Sequence, residues 1–445
     1  MRSIELRSDI GSFIDFRSQE GKSVTVLGMV QAVRSLAWGG FLILRTPSHQ
    51  IQAVIDAGRL ARPLEDVPVE STVRVTGEIK PAVIKDATMN PRDFELHVES
   101  LEIVSRPNER PLPIDTSKKE MNVSLDTKLD LRPLTLRHVR ERAVFRIQAA
   151  ICEEVARFLS AAGFTRICTP KIVFSGAEGG ANVFALEYFG RTAYLAQSPQ
   201  FYKQMMVGVF GRVFEIGPVF RAEKHNTSRH VNEYTSVDFE MMLETGFLDV
   251  IQTEAAMLNG VFAALPDRCA RELELLQVTP PRLERLILLE FDEVHDLVYQ
   301  SAGVDHRGEN DLAPEEEQII CEYAARTWSS EFVFVTHYPT EKRPFYSMPD
   351  PERPERTLSF DLLFRGMEIT TGGQRLHVYD DYVACMERRR MDPLPFASYL
   401  QAFKFGMPPH GGLGLGLERL TARLCGIANV KEATLFPRDV DRLEP

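Results

Sequence analysis

Residues 212–242 read RVFEIGPVFRAEKHNTSRHVNEYTSVDFEMM, and this stretch restricts the fold more than any other. Two apolar runs flank a short charged middle. Val213–Phe220 is rich in Val, Ile and Phe and breaks at Gly217–Pro218, while Thr235–Met242 alternates, with Asp238 and Glu240 among apolar and hydroxyl residues. That pattern predicts two antiparallel strands joined by a long connection. Arg221 and Glu223 close the first strand, and Arg229 and His230 lie in the connection. An arginine ending a rigid strand suits a polyphosphate, because its planar donors meet phosphate oxygens two at a time. An ordinary surface hairpin with solvated charges fits the same pattern, so other segments have to decide.

A chain of 445 residues has room for two or three domains, and 44% hydrophobic with 26% charged residues is an ordinary globular composition. The apolar runs are too short for a membrane span. The opening MRSIELRSDIGSF has neither the apolar core of a signal peptide nor a transit-peptide composition. Cys152, Cys168, Cys269, Cys321, Cys385 and Cys425 are scattered without a CxxC pair. They read as free thiols of a reducing, cytoplasmic compartment, with no zinc site or disulfide framework. The net charge of -11 leaves nucleic acid open as a partner, since binding depends on local potential.

Residues 1–105 predict a small β-barrel of the OB type, with strands at Ser23–Val30, Phe41–Arg45, Ile51–Ile55, Ser71–Ile79 and Phe94–Val104. Phe41 and Gln52 fall on neighbouring strands of its open face, where a ring can stack on a base and an amide can read its edge. Core packing is the plainer reading of Phe41. The proline-rich, charged residues 106–135 predict a hinge. Val144, Ile147, Ile151, Val155 and Phe158 recur at helical spacing up to Gly163, and the strand FTRICTPKI follows. Gly179–Gly180 predicts a mobile loop. Residues 245–325 predict amphipathic helix without a site. SFDLLFRGMEITTGGQR reads as a strand ending at Gly372–Gly373, and GGLGLGLERLTARLCG as a glycine-rich strand entering a helix.

FRAE at the bend of the hairpin resembles motif 2 of the class II aminoacyl-tRNA synthetases, and GLGLER at 414–419 resembles motif 3. The helix-then-strand around Pro170 is similar to motif 1, the dimer interface of that class. Over its whole length the chain resembles the aspartyl-tRNA synthetases in their compact archaeal-type form. The segments that carry this are EGG at 178–180, QSPQFYK at 197–203, RAEKHNTSRHVNE at 221–233, TGGQR at 371–375, KFGMPPHGGLGLGLERL and LFPRD. The implied fold class is α+β: an anticodon-binding OB-fold at 1–105, a linker at 106–135, and a catalytic domain at 136–445. That last domain is an antiparallel sheet flanked by helices, with a helical insertion around 245–325.

The resemblance implies a role for each matching residue. Arg221 holds the α-phosphate of ATP and the amino-acid carboxylate, and Glu223 lies near the adenine. Arg229 and His230 meet the outer phosphates, Arg419 clamps the γ-phosphate or stacks on the adenine, and Gly416 lets the backbone approach the nucleotide. Glu368 and Thr371 ligate Mg²⁺; many relatives have Ser at the second position, which keeps the hydroxyl. Lys203 and Arg375, with Gln200, Asp238 and Thr371 beside them, select aspartate, and Glu178 closes over its ammonium group. Asparaginyl enzymes generally have an apolar residue in place of Lys203. Losing two charged hydrogen bonds, each about 1.5–3 kcal/mol, discriminates roughly 10²–10⁴-fold against the amide. The alternative, a helix-surface charge on an amphipathic QFYKQMM, is outweighed by the surrounding matches.

In the family an aromatic and a glutamine read the central anticodon base, and Phe41 and Gln52 match them. Rejection of asparagine tRNA goes with a Trp and a Lys, where this chain has Gln31 and Pro91. The implied enzyme is a homodimer that uses ATP and L-aspartate, touches no membrane and charges both aspartate and asparagine tRNAs. The rivals are an asparaginyl enzyme, a paralogue that passes aspartate elsewhere, and a non-catalytic nucleic-acid-binding relative.

Overall fold

The structure is a computed structural model and describes residues 15–59, 63–109, 112–174 and 182–445. It forms two compact units, Met1–Glu141 and Arg142–Pro445. No described helix is long and apolar enough to cross a membrane.

In the first unit β1 (Ser23–Leu36), β2 (Gly39–Arg45), β3 (Gln50–Asp56), β4 (Thr72–Pro81) and β5 (Phe94–Ser105) close into a barrel in the order β1-β2-β3-β5-β4. β1 is longer than its sequence pattern implies because it serves two neighbours. Its first half pairs with β4, from Ser23 opposite Glu78, and its second with β2, ending at Leu36 opposite Gly39. The change of partner falls at a bulge between Val30 and Ala32, which bends the strand. Val26, Val30, Leu42, Leu44, Ile51, Ala53, Val73, Val75 and Leu96 fill the barrel. The expected hinge is partly helical: α1 (Leu125–Asp130) and α2 (Arg132–Thr135) lie within it, and Ser124 caps α1 by accepting from Thr127 N at 3.2 Å.

The second unit begins in α3 (Val139–Ala161), which Gly163 ends at φ 81°. Next come β6 (Thr165–Arg166), β7 (Ile172–Val173), β8 (Ala185–Tyr188), β9 (Arg191–Leu195), α4 (Gln200–Phe210), β10 (Arg212–Phe220) and β11 (Glu233–Met242). A helical stretch then holds α5 (Leu248–Leu276), β12 (Leu288–Glu290), α6 (Phe291–Ala302) and α7 (Pro314–Trp328). The chain continues through β13 (Phe332–Thr336), β14 (Ser359–Phe364), β15 (Met367–Gln374), α8 (Tyr379–Arg388), α9 (Ala397–Lys404), β16 (His410–Gly416) and α10 (Leu417–Leu424).

Eight strands form one sheet in the order β12-β13-β14-β15-β16-β11-β10-β6, antiparallel except at its two ends. Ile147, Ile151 and Val155 of α3 and Ile251, Leu258 and Phe262 of α5 pack against Phe214, Phe239, Leu413, Leu415 and Phe360 of the sheet. Two expected strands come out differently. FTRICTPKI keeps only β6 and β7, because Pro170 has no N–H and Thr169 donates its N–H at 3.1 Å, and its hydroxyl at 2.6 Å, to Glu215 instead of to a strand. SFDLLFRGMEITTGGQR is a hairpin, not one strand; it turns at Arg365 and Gly366, whose φ values of 47° and 81° suit a tight reversal.

Candidate active site

The centre of the large sheet carries the candidate site, and strand alternation explains why. On β16, Leu413 and Leu415 point into the core, so Gly412, Gly414 and Gly416 fall on the opposite face and leave it bare. A Cβ on Gly412 would strike Phe239 O and the Glu240 carboxylate, so only glycine lets β16 approach β11 there. Across this floor Asp238 is opposite Gly414, Gly414 opposite Thr371, and Thr371 opposite Asp361. Above it lies a cavity of about 610 Å³.

One end of the cavity is a buried quartet of charges. Lys203 of α4 is 1% exposed, so it is no helix-surface charge. Its Nζ donates to Asp238 Oδ1 and Leu413 O, each at 2.7 Å, and lies 3.4 Å from Glu240 Oε2. Arg375 Nε donates to Glu240 Oε1 at 2.9 Å, and its Nη2 to Gly412 O at 2.9 Å and Gln200 Oε1 at 3.5 Å. Burial alone would push the Glu240 carboxyl up, but the Arg375 and Lys203 charges beside it hold it below its usual range. Asp238 Oδ2 is buried without a hydrogen-bond partner. Glu240 was not foreseen, although it lies two residues from Asp238 on the same face of β11.

The other end gathers the candidate phosphate ligands. Arg221 follows β10 with its guanidinium 5.9 Å from the Tyr234 ring. His230 lies 3.7 Å from Glu223, and burial pulls its imidazole down against the raising effect of that carboxylate. Arg419 Nη1 donates to Glu368 O at 2.9 Å and pairs with the Glu368 carboxylate at 3.4 Å. Thr371 Oγ1 donates to Glu368 Oε1 at 2.9 Å. Burial opposes the Glu368 charge, but Arg419 and the Thr371 hydroxyl outweigh it and hold the carboxyl low.

Three further groups have no sequence forecast. Asp361 and Arg343 are both buried and form a 2.8 Å ion pair on the wall of the cavity. Burial, with Glu368 nearby, pushes the Asp361 carboxyl up to about 6. Glu317 of α7 pairs with Arg229 and accepts from Glu368 N at 2.7 Å, so residues 245–325 do contribute to the site, contrary to expectation. No pattern around Glu317 distinguishes it from the other glutamates in the first turn of α7.

Gln200, Lys203, Arg221, Glu223, Arg229, His230, Asp238, Glu368, Thr371, Arg375, Gly416 and Arg419 thus line one cavity. Glu178 lies outside the described residues. Among the described residues no three His, Cys, Asp or Glu side chains form a metal cluster by themselves. The oxygens nearest to that role are the carboxylates of Glu368 and Asp361 with the Thr371 hydroxyl.

In the barrel unit Phe41 and Gln52 share the outer face: Phe41 is opposite Val54 and Ile43 opposite Gln52, while Leu42 and Leu44 face the core. Phe41 is therefore no core residue. Gln52 donates to Glu95 Oε2 at 2.9 Å. Pro91 is half-buried in the segment between β4 and β5. Gln31, which stands where a Trp goes with rejection of asparagine tRNA, faces the interior of the barrel unit. It is 4% exposed, and its amide donates to Thr116 O at 2.6 Å and Thr116 Oγ1 at 2.9 Å inside the buried Arg45–Glu70 ion pair network.

An antiparallel sheet whose glycine floor lies between two arginine-bearing corners, in a chain that also carries an OB barrel, defines a class II tRNA synthetase. Residues 124–440 match the tRNA synthetases class II (D, K and N), and residues 24–104 match the OB-fold nucleic acid binding domain. Within that class the chain belongs to the aspartyl-tRNA synthetase family. It is 43% identical to the Aspartate--tRNA(Asp/Asn) ligase of Deinococcus radiodurans, with 96% of each chain covered. It is 42% identical to the Thermus thermophilus protein of the same name, covering 97% of this chain and 99% of that one. The asparaginyl-tRNA synthetase of Pyrococcus horikoshii, solved with asparaginyl-adenylate, superposes with a TM-score of 0.86 at 29% identity, over 96% of this chain and 97% of that one.

Proposed function

We propose that the protein activates L-aspartate with ATP and transfers it to tRNA, and that it charges both aspartate and asparagine tRNAs. The observation that carries the amino-acid choice is the buried quartet. In it Lys203 Nζ and the Arg375 guanidinium place two cationic donors at one end of the cavity, held there by Asp238 and Glu240. The side-chain carboxylate of aspartate can accept from both donors, whereas the amide of asparagine turns an NH2 group, itself a donor, towards one of them. The partnerless Asp238 Oδ2 suits the ammonium group of the substrate.

Arg221 would hold the α-phosphate and the α-carboxylate together, so that a carboxylate oxygen attacks the α-phosphorus in line and pyrophosphate leaves. Arg229, His230 and Arg419 would take the outer phosphates, and Glu223 and Gly416 would border the nucleotide. The terminal ribose hydroxyl of tRNA then attacks the carbonyl of the mixed anhydride and AMP departs. No side-chain nucleophile is required.

Glu368, Thr371 and Asp361 fit a hard dication, because they offer oxygens alone. Burial raises the Asp361 carboxyl and the Glu368 charge beside it adds to this, so a dication between them would favour the ionised forms. Magnesium bound there would neutralise phosphate charge on ATP.

The barrel unit supports anticodon recognition, with Phe41 as a stacking ring, Gln52 as an edge reader and Pro91 in a flanking loop. The names of the Deinococcus and Thermus relatives support charging of both tRNAs. Exposed Ile172, Phe174, Tyr188 and Phe189 around the small β7-β9-β8 sheet suit burial against a second copy, hence a homodimer. Free thiols suit a cytoplasmic setting.

Pyrophosphate exchange with ATP tests the first step: aspartate should support it roughly 100-fold or more better than asparagine, and the reverse ratio would point to an asparaginyl enzyme. Charging purified aspartate and asparagine tRNAs tests the second; no aspartylation of asparagine tRNA refutes dual charging.

A further inference from the structure

Trp38 stands in the turn between β1 and β2, next to the Phe41 face, and is 47% exposed. It belongs to none of the hydrophobic cores and is one of only two tryptophans in the chain. Its backbone is held firmly. Trp38 O accepts from Ala57 N at 2.9 Å, and Gly39 and Gly40 follow at φ 141° and 151°. A Cβ on either glycine would run into the backbone of Ile55 or Arg34, so the turn is fixed by close packing on both sides. The indole packs on Phe41 with centroids 5.2 Å apart and planes at 80°. Arg34, opposite Phe41 on β1, has a side chain 61% exposed beside this pair, with Asp86 at 4.0 Å in a loose, exposed ion pair that a phosphate can replace.

Two rings so close and nearly perpendicular cannot both lie in one continuous stack of bases, whose planes are parallel. Each can take a base only if the RNA backbone turns between them, as it does in a splayed single-stranded loop. We infer that Trp38 is a second base-stacking surface, which takes a base next to the one on Phe41 from the same anticodon loop, with Arg34 drawing in the phosphate at the turn. The inference rests on the reading that the barrel binds the anticodon. The fixed turn leaves only the two χ angles of the indole to be ordered when a base lands on it, which keeps the entropy loss small.

Direct binding of an aspartate tRNA transcript tests this without catalysis. Trp38→Ala and Trp38→Leu should each weaken binding roughly 5- to 150-fold, and Trp38→Phe should restore most of it, with melting temperatures near wild type. Leucine matters because it keeps an apolar cover over Phe41 but lacks a π-face. In a Trp328→Phe background Trp38 is the sole indole, and its fluorescence should be quenched by the transcript but not by one with abasic positions flanking the central anticodon base. If Trp38→Leu binds within about twofold of wild type while Phe41→Ala binds weakly, the indole is only a cover and the inference falls. If Phe41→Ala also binds normally, the anticodon reading of the barrel falls with it.

Discussion

The guanidinium of Arg229 is held by the carboxylate of Glu317, a side chain from a helix 88 residues further along the chain. The same Glu317 oxygen accepts from Glu368 N, so the loop after β10 and the start of β15 share one anchor. Arg419 completes the knot by donating from Nε to Arg229 O at 3.4 Å.

Removing that anchor should be felt at the outer phosphates of ATP. Glu317→Ala is expected to raise KM for ATP roughly tenfold, since a charge-assisted hydrogen bond contributes about 1.5–3 kcal/mol, and to leave KM for aspartate unchanged. Exchange kinetics on Glu317→Ala, Arg229→Ala and the double variant would measure the coupling. The double variant should be little worse than Arg229→Ala alone; additive losses would mean that the two residues act separately.

This anchor also marks where the sequence stopped being informative. The glycine floor was legible because GLGLG alternates on a strand, and Lys203, Arg221, Arg375 and Arg419 were legible because each lies in a motif with a known geometry. Glu317 is one of three glutamates in the first turn of α7, and only the folded chain picks it out. Asp361 lies one strand from Thr371, but the bulge between Leu362 and Leu363 shifts the register, so alternation alone would not place it. The burial of Gln31 was not legible either: β1 changes partners just beside it, and its side chain lies among Arg45, Glu70 and Thr116.

The Lys203–Asp238–Glu240–Arg375 quartet should behave as a unit. Lys203→Met fits the volume but leaves Asp238 and Glu240 short of countercharge, and breaking a buried pair costs about 3–5 kcal/mol. Melting temperature should drop accordingly and aspartate-dependent exchange should be lost. A variant that melts normally would show that water or a proton replaces the ammonium group.

Glu254 of α5 predicts a pH dependence of stability. Its carboxyl is fully buried without a hydrogen bond of good geometry, and burial, with Asp361 adding to it, pushes it up to about 8 from 4.5. The fold therefore keeps a proton that the unfolded chain releases above 4.5, and stability falls as pH rises through that window. Each unit costs about 1.4 kcal/mol. Glu254→Gln removes the titration and should melt above wild type at about pH 8, with the gap closing towards about pH 5. A gap of the same size at both ends would remove this account.

Two glycines of β16 should part company when given a methyl group. At Gly416 an added Cβ would meet only the Arg419 side chain, at 3.7–3.8 Å, which is ordinary contact. Gly416 has φ -77° and ψ 109°, values open to alanine, so Gly416→Ala should melt like wild type, and any loss should appear in ATP kinetics through Arg419. At Gly412 the same methyl would press on Phe239 O and the Glu240 carboxylate, and no flexible side chain can yield there because Glu240 is tied to Arg375 and Lys203. Gly412→Ala must separate β16 from β11 or break the quartet. Overpacking costs about 1–3 kcal/mol, so its melting temperature should fall and its KM for aspartate should rise before its KM for ATP. Equal effects at the two positions would mean that the strands yield as freely at the buried end of the floor as at its open end.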